Sequence, residues 1–137
     1  MKKHTGYWVT VGLFCAVYAF SSFMDLSGVG PARETTAHLG FPAYLDAILG
    51  FWKAGAVVAL LAPRMARVKE WAYAGIVFDL TGGFVSRVFT GDALPKPVIP
   101  LVMLALAITS YLLLPASRRL VEPARSDDAR VALAPAE

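Results

Sequence analysis

The run LGFWKAGAVVALLAP, residues 49–63, is apolar almost throughout, yet it carries a lysine, Lys53, in its first half. Insertion scales put the cost of a lysine at the centre of a membrane helix at about 2.5–3.5 kcal/mol. A run that keeps such a residue needs something to offset it, and the search for that partner organises the reading of the chain.

The 137 residues are 57% hydrophobic and 17% charged, well below the roughly 25% charged content of a soluble domain. The apolar excess is gathered in long blocks, which predicts a single-domain, polytopic membrane protein with the lipid bilayer as its first partner. The net charge of +3 does not indicate nucleic acid. Lys and Arg sit at block ends and in the tail, with no basic face interleaved with aromatics. The single cysteine, Cys15, lies in the first apolar block; it has no partner for an internal disulfide and reads as a small apolar residue.

Four blocks have the length and composition of spans: 7–25, 44–63, 69–89 and 98–115. Each approaches the roughly 20 residues that cross a hydrocarbon core. The predicted fold is all-α, an antiparallel four-helix transmembrane bundle over residues 1–116, with a disordered cytoplasmic tail over 117–137. The third block carries Asp79, Thr81, Ser86 and Arg87, so the others are expected to shield it. The first block follows Lys2 and Lys3 like a signal peptide, but its apolar part is long and no cleavage site precedes a soluble domain. A retained helix is the expectation.

Lys2, Lys3, Arg64, Arg67, Lys69, Arg118, Arg119 and Arg125 fall on one side of such a bundle, against Arg33 and Lys96 on the other, with Arg87 near its edge. Positive charge favours the cytoplasm, so both termini are expected there. The longest outer connection, SGVGPARETTAHLGFPA (27–43), is rich in turn and capping residues and predicts a partly ordered segment with a short interfacial helix. Pro97 and Pro100 suit the first turn of the last helix.

Because a short basic turn joins the second and third spans, they should be antiparallel neighbours. Residues at equal depth in such a hairpin have a nearly constant sum of residue numbers. The register that sets Lys53 opposite Asp79 also sets Asp46 opposite Arg87, to within one residue. The inner pair is the better aligned, since Asp79 and Arg87 diverge by about 80° around their helix at 100° per residue. Two readings of Lys53–Asp79 stay open: a clasp that fixes the hairpin register, or the polar wall of a binding cavity.

For a cavity, the expected ligand-binding residues are Lys53, Asp79, Asp46, Arg87, Trp52 and Tyr18, with Phe78 and Phe84 as further aromatic surface. Asp79 and Asp46 are candidate acids for catalysis, because a carboxyl group in a low-dielectric site can act as a general acid. Asp25 ends the first span, either lining a vestibule or solvating the helix end. His4 and His38 lack a second ligand at metal spacing, so no metal is expected. Glu70 complements a helix N-terminus. Gly50, Gly55, Gly75 and Gly82 suit close helix packing rather than phosphate binding.

The segments AHLGFPAYL (37–45) and LGFWKAGAVVALLAPRMARVKEWAYAGIVFDLTGG (49–83) resemble the DoxX-like family of small bacterial four-helix integral membrane proteins. The resemblance covers about residues 7–116. Lys53 stands where such proteins typically carry a lysine, and WAYAG (71–75) is also characteristic; the family's frequent Ser-His pair late in the third helix reads Ser86-Arg87 here. The resemblance implies a multi-pass protein of the bacterial inner membrane. It links the chain loosely to quinone-dependent oxidoreductases and oxidative-stress systems.

No flavin motif, haem ligand or paired cysteine is present in the sequence, so redox chemistry would need a partner protein, and no covalently bound cofactor is expected. The leading expectation is a membrane module that binds a small or lipid-soluble molecule, a quinone being one candidate, for a redox or detoxification partner. A structural or transport component, working as a homo-oligomer because four spans are few for transport, is the second. A small membrane enzyme of isomerase or cyclase type is the third.

Overall fold

The computed structural model describes residues 2–28 and 30–120, with side chains from residue 5 onward. Among them are five α-helices and no strand: α1 (Lys2–Ser27), α2 (Pro31–His38), α3 (Tyr44–Leu61), α4 (Ala66–Thr90) and α5 (Val98–Leu112), followed by a 3-10 turn, Ala116–Arg118. The expected spans thus begin or end within five residues of real helices. The short helix expected in the 27–43 connection is α2.

The four longer helices pack in a closed ring, α1 on α3, α3 on α4, α4 on α5 and α5 on α1, while α2 bridges α1 and α3. The core fills one half of this ring. Tyr7, Val11, Phe14, Cys15 and Tyr18 follow the three- and four-residue steps of one face of α1, and they meet Leu60, Tyr73, Ile76, Leu80, Ala107 and Leu114. Tyr73 and Ser110 share a buried hydrogen bond of 2.9 Å, which ties α4 to α5 within that core.

The outer surface is apolar to a degree that water would not tolerate. Phe20, Phe23, Phe51, Trp52, Trp71, Phe78 and Phe89 are all exposed, Phe89 by 87%. Contiguous apolar surface on this scale marks contact with a membrane or a partner. Two helices, Thr5–Ser27 and Tyr44–Leu61, are long and apolar enough to cross a membrane, and Val98–Leu112 is a shorter apolar helix. Four such spans were expected. The third block falls short because α4 carries Arg67, Lys69, Glu70, Asp79 and Arg87. The fourth falls short in length, since its 15 residues rise only about 22 Å at 1.5 Å each. Apolar helices with outward-facing aromatics suggest a membrane protein.

The segment expected to be a disordered tail, 117–137, opens with side chains that contact the helices. Arg118 lies 4.5 Å from the Trp8 ring, and Arg119 donates to the Leu112 and Leu114 carbonyls at the end of α5. These contacts anchor residues 118 and 119 to the folded part. Residues 121–137 lie outside the described residues.

Candidate functional site

The partner of Lys53 is set by how closely α1 approaches α3. Gly50 has no side chain, and a Cβ built there would lie 2.7 Å from Leu26 Cγ, 3.0 Å from the Leu26 amide nitrogen and 3.1 Å from Asp25 Cβ. Ser22 Oγ donates to the Gly50 carbonyl at 2.6 Å. One turn along α3 from this contact, Lys53 Nζ donates to Asp25 Oδ2 at 2.8 Å and to Ser21 Oγ at 3.3 Å. Asp79 Oδ2 lies 3.9 Å from Nζ and accepts a 2.7 Å hydrogen bond from Tyr18 OH. Lys53 Nζ is also 5.7 Å from the centre of the Tyr18 ring.

Lys53 therefore does come within ion-pair distance of Asp79, but its shorter contact is with Asp25, which the sequence placed at a helix end. The signal for Asp25 was weak. The equal-depth register works only across a short turn, whereas α1 and α3 are joined by sixteen residues that include α2.

The other expected pair, Asp46 with Arg87, is not formed. Asp46 is buried at the start of α3, where Thr36 Oγ1 donates to its Oδ1, and Arg33 Nη1 reaches its Oδ2 at 3.4 Å. Helix α2 thus intercepts this carboxylate before α4 can. Arg87 is intercepted in turn by Asp92 Oδ2 at 3.0 Å. Gly91 ends α4 in the left-handed conformation, φ 77°, which reverses the chain and returns the Asp92 amide to the Arg87 carbonyl.

Asp92 also takes His38 Nε2 at 2.7 Å and Lys96 Nζ at 3.9 Å. The His38 hydrogen bond, ahead of Arg87 and Lys96, holds the Asp92 carboxyl below the usual carboxylate range. This contact ties α2 to the α4–α5 loop, across 54 residues of sequence.

Between these two clusters lies a cavity of about 780 Å³, within the 300–1,000 Å³ range of small-molecule sites. Lys53, Asp25, Asp79, Tyr18, Ser86 and Arg87 line it, together with apolar side chains from all five helices. Phe78 contributes to the wall, whereas Phe84, Asp46 and Trp52 do not. Trp52 points away, 68% exposed, with its ring edge-on to Phe51 at 5.7 Å. Its position next to Lys53 in sequence turned it by about 100° around the helix and out of the site.

Lys69 is a second buried lysine that sequence reading did not single out. It is 1% exposed, and its Nζ donates to the carbonyls of Ala59 at 2.7 Å, Leu60 at 2.9 Å and Ala62. These groups end α3 without intrahelical donors, so a cation there satisfies both the hydrogen bonds and the helix dipole. The available signal was a basic residue just beyond a proline-terminated helix. Among the expected packing glycines only Gly50 makes a tight approach; Gly55, Gly75 and Gly82 face open space. No group of three or more His, Cys, Asp or Glu side chains that could hold a metal occurs among the described residues.

No curated protein and no solved structure matches this chain. A family model does. It spans residues 9–110 and so takes in Tyr18, Asp25, Lys53 and Asp79 together with the helices that carry them: the chain belongs to the DoxX-like family.

Proposed function

We propose that this chain is a membrane-embedded binding module whose cavity at Lys53 takes a small or lipid-soluble molecule. The observation that carries the proposal is the roughly 780 Å³ space walled by apolar side chains and by one polar group, Lys53, Asp25, Asp79 and Tyr18. A clasp alone would need no such space. A few convergent polar groups in an otherwise apolar hollow are what orients a ligand.

The surrounding architecture in this reading is an antiparallel four-helix transmembrane bundle. Contacts of Gly6 with Leu113, of Ser22 with Gly50, of Lys53 with Asp79 and of Tyr73 with Ser110 support opposed neighbours. Both termini face the cytoplasm of a bacterial inner membrane, as the clustering of Lys and Arg at one end favours. The molecule delivers its ligand to a redox or detoxification partner protein, with a quinone as one candidate occupant. The exposed Trp71, Phe78 and Phe89 offer surface for that partner or for a second copy of the chain.

An enzymatic reading retains one acid. Asp79 lines the cavity with Tyr18 hydrogen-bonded to it, whereas Asp46 is engaged by Thr36 and Arg33 and does not line it. Asp79→Asn should then abolish turnover.

The binding reading is tested by extracting quinone from protein purified out of quinone-containing membranes. A charge-assisted hydrogen bond from lysine is worth about 1.5–3 kcal/mol, so Lys53→Met should lower the retained quinone roughly tenfold or more. Wild-type protein that retains no lipid-soluble molecule, or a folded variant that retains as much as wild type, would refute it.

A further inference from the structure

We infer that the cavity selects an amphipathic cation, a molecule with one ammonium-type group and an apolar body, and that Asp79 is its counter-ion. This rests on the reading of the cavity as a ligand site and puts a charged ligand in place of the neutral quinone considered there.

The inference comes from matching the charges on the wall one by one. Two carboxyl groups, Asp25 and Asp79, face a single ammonium, Lys53. The ammonium belongs to Asp25 at 2.8 Å and stands 3.9 Å from Asp79. Asp79 is left with a phenol, Tyr18, on Oδ2, and its Oδ1 has no hydrogen-bond donor among the described residues. Arg87, the other cation on the wall, is two helical turns further along α4 and is held by Asp92 at 3.0 Å. Neither α2 nor α5 contributes a charged side chain to the lining. The inner end of the cavity therefore has one acidic group more than it has cations.

In a low-dielectric setting a carboxylate whose cation stands 3.9 Å away and is shared with Asp25 is only partly compensated, and a cationic ligand completes the pairing. A neutral head group would engage Lys53 and leave Asp79 Oδ1 without a donor. An anion would meet two carboxyl groups. The rest of the lining fits the body of such a molecule. Val17, Met24, Leu49, Ile99 and Met103 are apolar, and Tyr18 supplies an aromatic ring of the kind that attracts ammonium groups. Lys53 itself, 5.7 Å from the Tyr18 ring centre, shows a cation already placed over it.

Calorimetric titration of the full chain in an uncharged detergent, with dodecylammonium, dodecanol and dodecanoate as probes, tests the inference. The three share one chain and differ in head charge. The ammonium should bind about tenfold tighter than the alcohol, and the carboxylate weakest. Asp79→Asn should bring the ammonium down to the level of the alcohol. Lys53→Met, which removes the resident cation and leaves both carboxyl groups, should strengthen the preference for the ammonium. Thermal melting of each variant reports whether it folds.

Equal binding of ammonium and alcohol by wild type would overturn the inference while leaving the cavity a binding site. So would a preference that survives in folded Asp79→Asn. If none of the three probes binds, the inference falls, and quinone retention decides the binding reading separately.

Discussion

Gly50 shows how a single missing Cβ makes room for a charge cluster. Its contact with Leu26 and Asp25 involves a backbone amide at 3.0 Å as well as side chains, so an added methyl cannot be absorbed by a rotamer change alone. Helix α1 would have to move, and with it Asp25 and the Ser22 hydrogen bond to the Gly50 carbonyl. Overpacking of this kind destabilises by about 1–3 kcal/mol. Gly55, on the same helix, faces open space, and a helical Gly→Ala change there should stabilise by about 0.5–1 kcal/mol. Thermal unfolding in detergent should show opposite signs for Gly50→Ala and Gly55→Ala; a shared sign would mean that α1 does not rest on Gly50. The sequence identified Gly50 as a packing glycine but could not separate it from Gly55, Gly75 or Gly82, because the separation depends on what the neighbouring helix presents. Lys53 was legible for a different reason: a charge in an apolar run demands a partner wherever that partner lies.

At the scale of the element, α2 decides which charges meet. The hairpin register was right in setting Lys53 near Asp79, because α3 and α4 are joined by a short turn. It failed for Asp46 and Arg87, because α2 and the α4–α5 loop each supply a nearer partner, Arg33 and Thr36 for one and Asp92 for the other. Arg33 and Thr36 lie on α2 and Asp92 in the α4–α5 loop, all outside the α3–α4 hairpin, so its register could not foretell them. The consequence is a tie between two outer segments, His38 to Asp92 at 2.7 Å, beside the residues that roof the cavity, Thr35 and Leu39 among them. Because the Asp92 carboxyl is held below its ordinary range in the folded protein, its contribution to stability is present above the unfolded value near 3.8. It is lost as pH falls through the lower folded value. Amide exchange in residues 31–38, corrected for its intrinsic pH dependence, should therefore stay slow from neutral pH down to about pH 4 and quicken below that. Asp92→Asn should be fast already at neutral pH. Slow exchange in that variant would show that α2 is held by its contacts with α1 and α3 alone.

The molecule as a whole pairs an apolar core in one half of the ring with an apolar outer surface and a polar cluster at the cavity. Helix α4 shows this most plainly: Trp71, Phe78 and Phe89 are 81%, 76% and 87% exposed, while Lys69 is buried and Asp79 and Arg87 turn to the cavity. Outward aromatics of this size with charged groups turned inward suit an apolar surrounding, a membrane or a covering partner. The sequence signalled the apolar surface through composition and block length. The polarity of α4 was legible in the third block, whereas the shortness of α5 was not; among the described residues, α1 and α3 alone meet the length and composition of a span by themselves. In the proposed bundle α4 and α5 cross because α1 and α3 cover their polar or short segments. That makes orientation the decisive property of the whole, and it depends on the basic groups near the ends, Arg64, Arg67, Arg118 and Arg119 on one side against Arg33 and Lys96 on the other. Reporter fusions check it. Green fluorescent protein joined after Leu120 should fluoresce and alkaline phosphatase at the same point should be inactive, whereas phosphatase joined at Ala93 should be active. An active phosphatase after Leu120 would reverse the orientation, and with it the side from which a ligand reaches Lys53. An inactive phosphatase at Ala93 would mean that the α4–α5 loop does not cross, leaving α1 and α3 as the spanning pair and the cavity open to the cytoplasm.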